Sequence, residues 1–193
     1  SIHPGEAKNE MVNAIHLASE IINNLPLKTM TPEVTENREG FIHATEMTGN
    51  SSEMKIKFIL RDFELKGLDE KKEILKNVCE KVQAIELRAK INISFNRQYR
   101  NMRYWLDENK ISIEIAEKAL TNKNLQPIKK PIRGGTDGSL LTENGIPTPN
   151  IFTGMQNVHG PLEWISSTDM SLATEVMLEI IKLNSNLEAK NNS

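Results

Sequence analysis

The sequence predicts an α/β protein in two parts: a two-layer βαββαβ-type unit lacking its first strand, then a stretch in which helices alternate with short strands. Two observations carry this. Up to residue 95, apolar residues recur at helical and strand periods in the order helix, strand, strand, helix, strand. From Lys110 onward the order becomes helix, strand, glycine-rich loop, helix, strand, loop, helix, the alternation expected of an α/β layer with partly parallel pairing.

Each element has its own signal. Met11, Val12, Ile15, Ala18, Ile21, Ile22 and Leu25 fall on one helical face, and proline suits a first helical position, so a helix is expected over 4–25. Residues 26–40, rich in Pro, Thr, Glu and Asn, read as a loop. Residues 41–47 and 54–63 read as strands joined at Gly49-Asn50-Ser51, the second alternating Met54, Ile56, Phe58 and Leu60. Ile74, Leu75, Val78, Val82 and Ile85 mark a second helix over 68–88, and 89–95 alternates as a further strand. Beyond 110, helices are expected at 111–122, 137–144 and 167–184, and strands at 126–132 and 148–153. The expected organisation is a first domain over 1–109, a second segment over 110–185 and a polar tail over 186–193.

Composition excludes several function classes. The 193 residues carry 24 basic and 26 acidic side chains, a formal charge of -2, so no global field favours nucleic acid or an anionic membrane. The single cysteine, Cys79, excludes an internal disulfide and a multi-cysteine zinc site, and fits a cytoplasmic location. No apolar run approaches the roughly 20 residues that span a bilayer.

The chemistry concentrates in Lys130-Pro131-Ile132-Arg133-Gly134-Gly135-Thr136-Asp137-Gly138-Ser139, then Asn150-Ile151-Phe152-Thr153-Gly154 and Asn157-Val158-His159-Gly160. An arginine beside glycines offers a planar fork suited to a carboxylate on a turn that a ligand can approach closely. An ordinary strand-to-helix loop reads the glycines equally well. His159 is a possible zinc ligand, but zinc needs three or four donors, so alone it reads as a surface or capping histidine. His3 before proline reads as a helix cap, Arg61 and Arg133 as ion-pair partners, and Asn101 as a turn residue.

Taken together these segments resemble the peptidase T family, tripeptide aminopeptidases among the zinc-dependent exopeptidases. The resemblance runs in order through Ser1-Ile2-His3-Pro4-Gly5, Met11-Val12-Asn13-Ala14, Leu60-Arg61-Asp62-Phe63, Tyr99-Arg100-Asn101-Met102-Arg103 and the glycine-rich segments above, to about Leu183. It implies that residues 1–109 form the lid or dimerisation domain, whose missing strand would precede Ser1. Residues 110–185 would then form the C-terminal part of a three-layer α/β/α zinc-exopeptidase catalytic domain. It further implies that His159 is a metal ligand in a two-zinc site, and that Arg133, with Arg61, binds the carboxylate of a short peptide. Asn101 would face the site, and His3 would contact the oxyanion across a homodimer. The remaining ligands lie outside these 193 residues, so the chain is expected to be a fragment inactive in isolation. Met155 after Thr153-Gly154, and Pro161-Leu162 after His159-Gly160, depart from the family pattern on the presumed substrate side. Two other readings stand beside this one: a non-catalytic remnant that dimerises or binds a peptide, and a related zinc exopeptidase acting on dipeptides or acylated amino acids.

Overall fold

The computed structural model describes residues 3–191 and divides into two compact units, Ser1–Arg97 with Pro131–Gly134, and Gln98–Lys130 with Gly135–Ser193. The sequence expectation drew its boundary at residue 109, whereas the packing divides at Arg97 and returns Pro131–Gly134 to the first unit.

In the first unit a 3-10 turn, Pro4–Glu6, precedes helix α1, Ala14–Asn23. The single helix expected over 4–25 is therefore corrected. Asn9 adopts φ 63, a left-handed conformation that no helix accommodates. Helix α1 instead starts at Asn13, whose side chain accepts from the Ile15 N–H at 3.0 Å. Strands β1, Phe41–Gly49, and β2, Met54–Arg61, form the expected antiparallel hairpin. One extra residue between Ala44 and Glu46 makes a bulge. The alternation of β2 is realised, since Ile56, Phe58 and Leu60 all pack on the core. Helix α2, Leu65–Ile85, crosses the hairpin and buries Leu75, Val78 and Val82 together with Ile21, Leu25 and Ile42. The result is a two-layer arrangement of helices on a two-stranded sheet.

The strand expected over 89–95 does not form among the described residues. A lone extended segment needs a neighbour to satisfy its backbone, and here Gln83 of α2 substitutes in part. Its amide donates to the Ala89 carbonyl at 2.7 Å and accepts from the Ile91 N–H at 3.0 Å. Ile91 reaches the core while the chain around it stays out of the sheet.

The tightest polar contact of this unit joins the end of β2 to the second turn of α2. Lys71 Nζ donates to Asp62 Oδ2 at 2.5 Å, and both side chains are buried, at 6% and 13% exposure. The other oxygen, Oδ1, accepts from the Glu64 N–H at 2.9 Å and closes the turn that begins α2. Two glycines enclose the pair: a Cβ at Gly40 would meet Asp62 and Lys71 Nζ, and one at Gly67 would meet the Asp62 carboxylate. At the far end of α2, Arg88 holds Glu86 at 2.7 Å and donates to the carbonyls of Asn9 and Glu10 at 3.2 Å.

In the second unit, helix α3, Arg103–Leu106, is a short turn the sequence pattern does not announce. Helices α4, Ile111–Asn122, α5, Asp137–Glu143, and α6, Ser167–Asn191, follow. The expected range of α4 is reproduced, and α6 extends through the expected polar tail as far as Asn191, residues 192–193 lying outside the described range. α4 and α6 pack through small side chains, Ala116 and Ala119 on one and Ala173 and Val176 on the other, all buried. Lys123 to Glu175 at 3.1 Å and Asn122 to Glu179 at 2.7 Å tie the C-terminal end of α4 to the middle of α6. The strands expected over 126–132 and 148–153 are corrected too, because those residues carry no strand ladder. Residues 148–150 are instead pinned beside α5 by the Thr148 N–H, which donates to buried Thr142 Oγ1 at 2.9 Å.

Removing one partner of a buried ion pair leaves an uncompensated charge. Asp62→Ala is therefore expected to destabilise the first unit by about 3–5 kcal/mol in chemical denaturation, and the volume-matched double change Asp62→Leu with Lys71→Met to cost markedly less. A second expectation concerns acid. Arg88 holds the Glu86 carboxyl down to about 2 from its ordinary 4.5. A carboxyl depressed in the folded state stabilises above its unfolded value, and that contribution is lost as pH falls from about 4.5 through 2. NMR titration of Glu86 should move up toward 4.5 in Arg88→Ala and stop short of it, because the backbone N–H of residue 88 still donates to Oε1.

Candidate functional site

The candidate residues fall in both units. In the first, Phe41 and Arg61 are register partners at the end of the hairpin away from its turn. The Arg133 guanidinium lies over the Phe41 ring at 4.9 Å. Arg133 thus stacks on the residue whose strand partner is Arg61. Arg133 also reads the loop before β1: it donates to the Thr35 carbonyl at 2.6 Å, to Thr35 Oγ1 at 2.5 Å and to the Glu39 carbonyl at 3.2 Å. Its Nε is buried without a partner. Thr35 is buried and itself donates to the Thr31 carbonyl at 2.6 Å, so the arginine sits on a loop that is already wound up. Thr35, Glu39 and Phe41 had no signal in the sequence beyond membership of a polar loop and the start of a strand.

His3 is exposed on the 3-10 turn, and its Nδ1 accepts from the Gly5 N–H at 3.1 Å. That bond fixes Nδ1 as the acceptor nitrogen, so in the neutral ring the proton sits on Nε2 and is available for donation. Ser1 and Ile2, which begin the same motif, lie outside the described residues.

In the second unit Asn101 makes the turn that starts α3, its side chain accepting from the Arg103 N–H at 3.0 Å. Gly135 of the glycine-rich loop has a close-approach role, since a Cβ there would overlap the Tyr99 ring. Tyr99 lies in the same motif as Asn101, and only the packing connects that motif with the glycines.

His159 occupies a tight excursion closed by a bridge between Gln156 and Trp164. Asn157 and His159 both adopt left-handed conformations, φ 53 and φ 64. Such conformations in non-glycine residues cost energy and cluster at functional sites. The local bonds show what holds them: the His159 N–H donates to Glu163 Oε2 at 3.1 Å, and Asn157 Nδ2 donates to the Leu162 carbonyl at 3.2 Å. The imidazole is exposed, and no described residue hydrogen-bonds it. Gly154, at φ 88, packs against Asp169, which Ser166 fixes at the start of α6 at 2.7 Å. No group of three or more His, Cys, Asp or Glu able to hold a metal exists among the described residues. His159 therefore presents one nitrogen where zinc needs three or four donors, and these residues alone do not make a zinc site.

Comparison with known proteins gives this geometry its class. Residues 1–94, nearly all of the first unit, match the model of the Peptidase dimerisation domain. Along almost all of its length the chain is similar to Peptidase T proteins. It is 44% identical to Peptidase T of Bacillus velezensis and 41% identical to that of Bacillus pumilus, each over 183 residues, 95% of this chain and 44% of the relative. Peptidase T of Clostridium perfringens is 40% identical over the same share of this chain and 45% of its own length. The chain thus spans less than half the length of these relatives. The crystal structure of aminopeptidase PepT from Bacillus cereus superposes with a TM-score of 0.64 over 93% of this chain and 48% of that one, a likeness of fold at 19% identity.

Lysine lacks the planar fork that Arg133 uses on Thr35 and Glu39. Arg133→Lys is expected to raise amide exchange over residues 35–40 by about tenfold or more, at a stability cost of about 1–3 kcal/mol. Unchanged exchange would show that the loop holds without the guanidinium.

Proposed function

We propose that this chain is part of a zinc-dependent aminopeptidase that removes the N-terminal residue of tripeptides. The observation that carries the reading is the His159 loop. An exposed imidazole stands on left-handed backbone that Glu163 and Asn157 hold in place, in a chain about 40% identical to Peptidase T relatives along 95% of its length. His159 supplies one metal ligand, and the other donors come from the part of those relatives' length that this chain does not span. By itself the chain is inactive.

Arg133 and Arg61 bind the carboxylate terminus of the peptide. The resemblance of the Ile132-Arg133-Gly134 and Leu60-Arg61-Asp62 segments to peptidase T supports this, since a guanidinium can hold a carboxylate as a fork. Reading a peptide terminus also selects for short substrates. His3 donates from Nε2 to the oxyanion that develops on the scissile carbonyl of a partner subunit. Its Nδ1 bond to Gly5 supports that proton placement. Asn101 lines the site from the turn before α3. Residues 1–94 form the homodimer contact, which their match to the Peptidase dimerisation domain supports.

A polypeptide carrying this chain joined to the remainder of the peptidase is expected to hydrolyse tripeptides faster than di- or tetrapeptides and to lose activity to a chelator. His159→Ala should weaken zinc retention by about 10-fold or more in equilibrium dialysis. Arg133→Ala should raise KM more than it lowers kcat. Full zinc retention in His159→Ala would remove the metal role and leave the dimerisation module as the better reading.

A further inference from the structure

The segment that carries His3 is fastened to the first unit at one side chain. Residues 3–10 are exposed apart from half-buried Ala7, so apolar packing does little to hold them. Two successive turns give the segment its shape: the Glu6 N–H donates to the His3 carbonyl at 2.9 Å, and the N–H groups of Glu10 and Met11 both donate to the Ala7 carbonyl at 3.0 Å. Left-handed Asn9 then breaks the run, and the carbonyls of Asn9 and Glu10 accept from no backbone N–H among the described residues. Backbone acceptors left open in this way take water or a side-chain donor. Arg88 Nη1 is that donor, reaching both carbonyls at 3.2 Å. Among the described residues, these are the only hydrogen bonds that reach residues 3–13 from beyond α1.

The guanidinium is itself aimed. Glu86 takes its Nε at 2.9 Å and its Nη2 at 2.7 Å, a two-pronged grip that leaves Nη1 as the edge turned to the two carbonyls. The same carboxylate accepts from the Arg88 N–H at 3.0 Å, so backbone and side chain of residue 88 are locked together just beyond α2. Helix α2 is in turn anchored in the core through Val78 and Val82. A continuous chain of bonded groups therefore runs from the core of the unit through Glu86 and Arg88 to the turns that end at His3. We infer that Arg88, aimed by Glu86, is the positioning residue of the His3 imidazole, acting on the reaction only by fixing the turns that carry the ring. This rests on the oxyanion role proposed for His3, since such a donor is worth most when it is already in place as charge develops.

The test uses the polypeptide in which this chain is joined to the remainder of the peptidase. Arg88→Ala should raise exchange of the Glu6, Glu10 and Met11 N–H groups by about tenfold while α1 and α2 keep their protection. It should lower kcat for a tripeptide by about tenfold and leave KM within about twofold. Lysine offers a charged donor without the fork, so Arg88→Lys should fall between the unchanged chain and Arg88→Ala in both readouts. In a His3→Ala background, Arg88→Ala should lower kcat no further, because residues that act through one contact are not additive. Lys90→Ala, at an exposed neighbouring position, should change neither exchange nor kcat. The inference is overturned if exchange in the turns ignores Arg88→Ala, if α1 or α2 loosens along with them, or if the kcat losses of His3→Ala and Arg88→Ala simply add. Exchange needs no turnover, so failure of the oxyanion role is seen separately: a silent His3→Ala beside raised exchange in Arg88→Ala would remove that role and leave Arg88 as the residue that holds the ring in place.

Discussion

The first unit depends on one buried ion pair. Asp62 ends the hairpin and Lys71 lies on the second turn of α2, so their contact sets where the helix enters and how it crosses the sheet. Asp62 does two jobs with its two oxygens, holding Lys71 with one and closing the turn into α2 with the other. Helix α2 has no side-chain cap of its own, so this carboxylate is what defines its start. Close enclosure by Gly40 and Gly67 excludes water from the pair, which strengthens the attraction but makes the loss of either partner expensive. The sequence Leu60-Arg61-Asp62-Phe63 thus carries two functions side by side: Arg61 belongs to the candidate site, and Asp62 to the frame that positions it.

What could be read from sequence follows the distance over which each element is decided. Helices α2 and α4 and the hairpin were legible because period and turn chemistry lie within about 20 residues. Met54, Ile56, Phe58 and Leu60 alternate whatever the rest of the chain does. The three missing strands fail for a common reason. Residues 89–95, 126–132 and 148–153 have the pattern of strands, but a strand is a relation between two segments, and no second segment lies beside them among the described residues. The start of α1 was misplaced by a different effect. Apolar spacing from Met11 ran on into the region before Asn13, where left-handed Asn9 breaks the path. Polar-tail composition after Asn184 likewise did not stop α6, since helix propagation needs only one further bond per residue.

The candidate residues were legible as positions but not as contacts. Arg133 stood out beside two glycines, yet its partners Thr35 and Glu39 lie in a loop nearly a hundred residues earlier, and nothing in that loop's composition distinguishes them. Gly135 was legible as special without its reason, which is the Tyr99 ring lying against it. His159 was ambiguous for a sound physical cause: a single imidazole has the same sequence signature whether it caps a loop or binds a metal. What the structure adds is the backbone, with His159 and Asn157 both held left-handed.

The two units place their functional groups by opposite means. In the first, side chains do the placing: Arg133 is clamped by three oxygens and a ring, and His3 is oriented through its own Nδ1. In the second, the backbone does it. The bonds around His159 go to its N–H and to neighbouring carbonyls, and the imidazole itself is left open. A ligand held by its ring would need that bond broken or shared before it could bind a metal. A ring delivered by a well-anchored backbone keeps both of its nitrogens unspent.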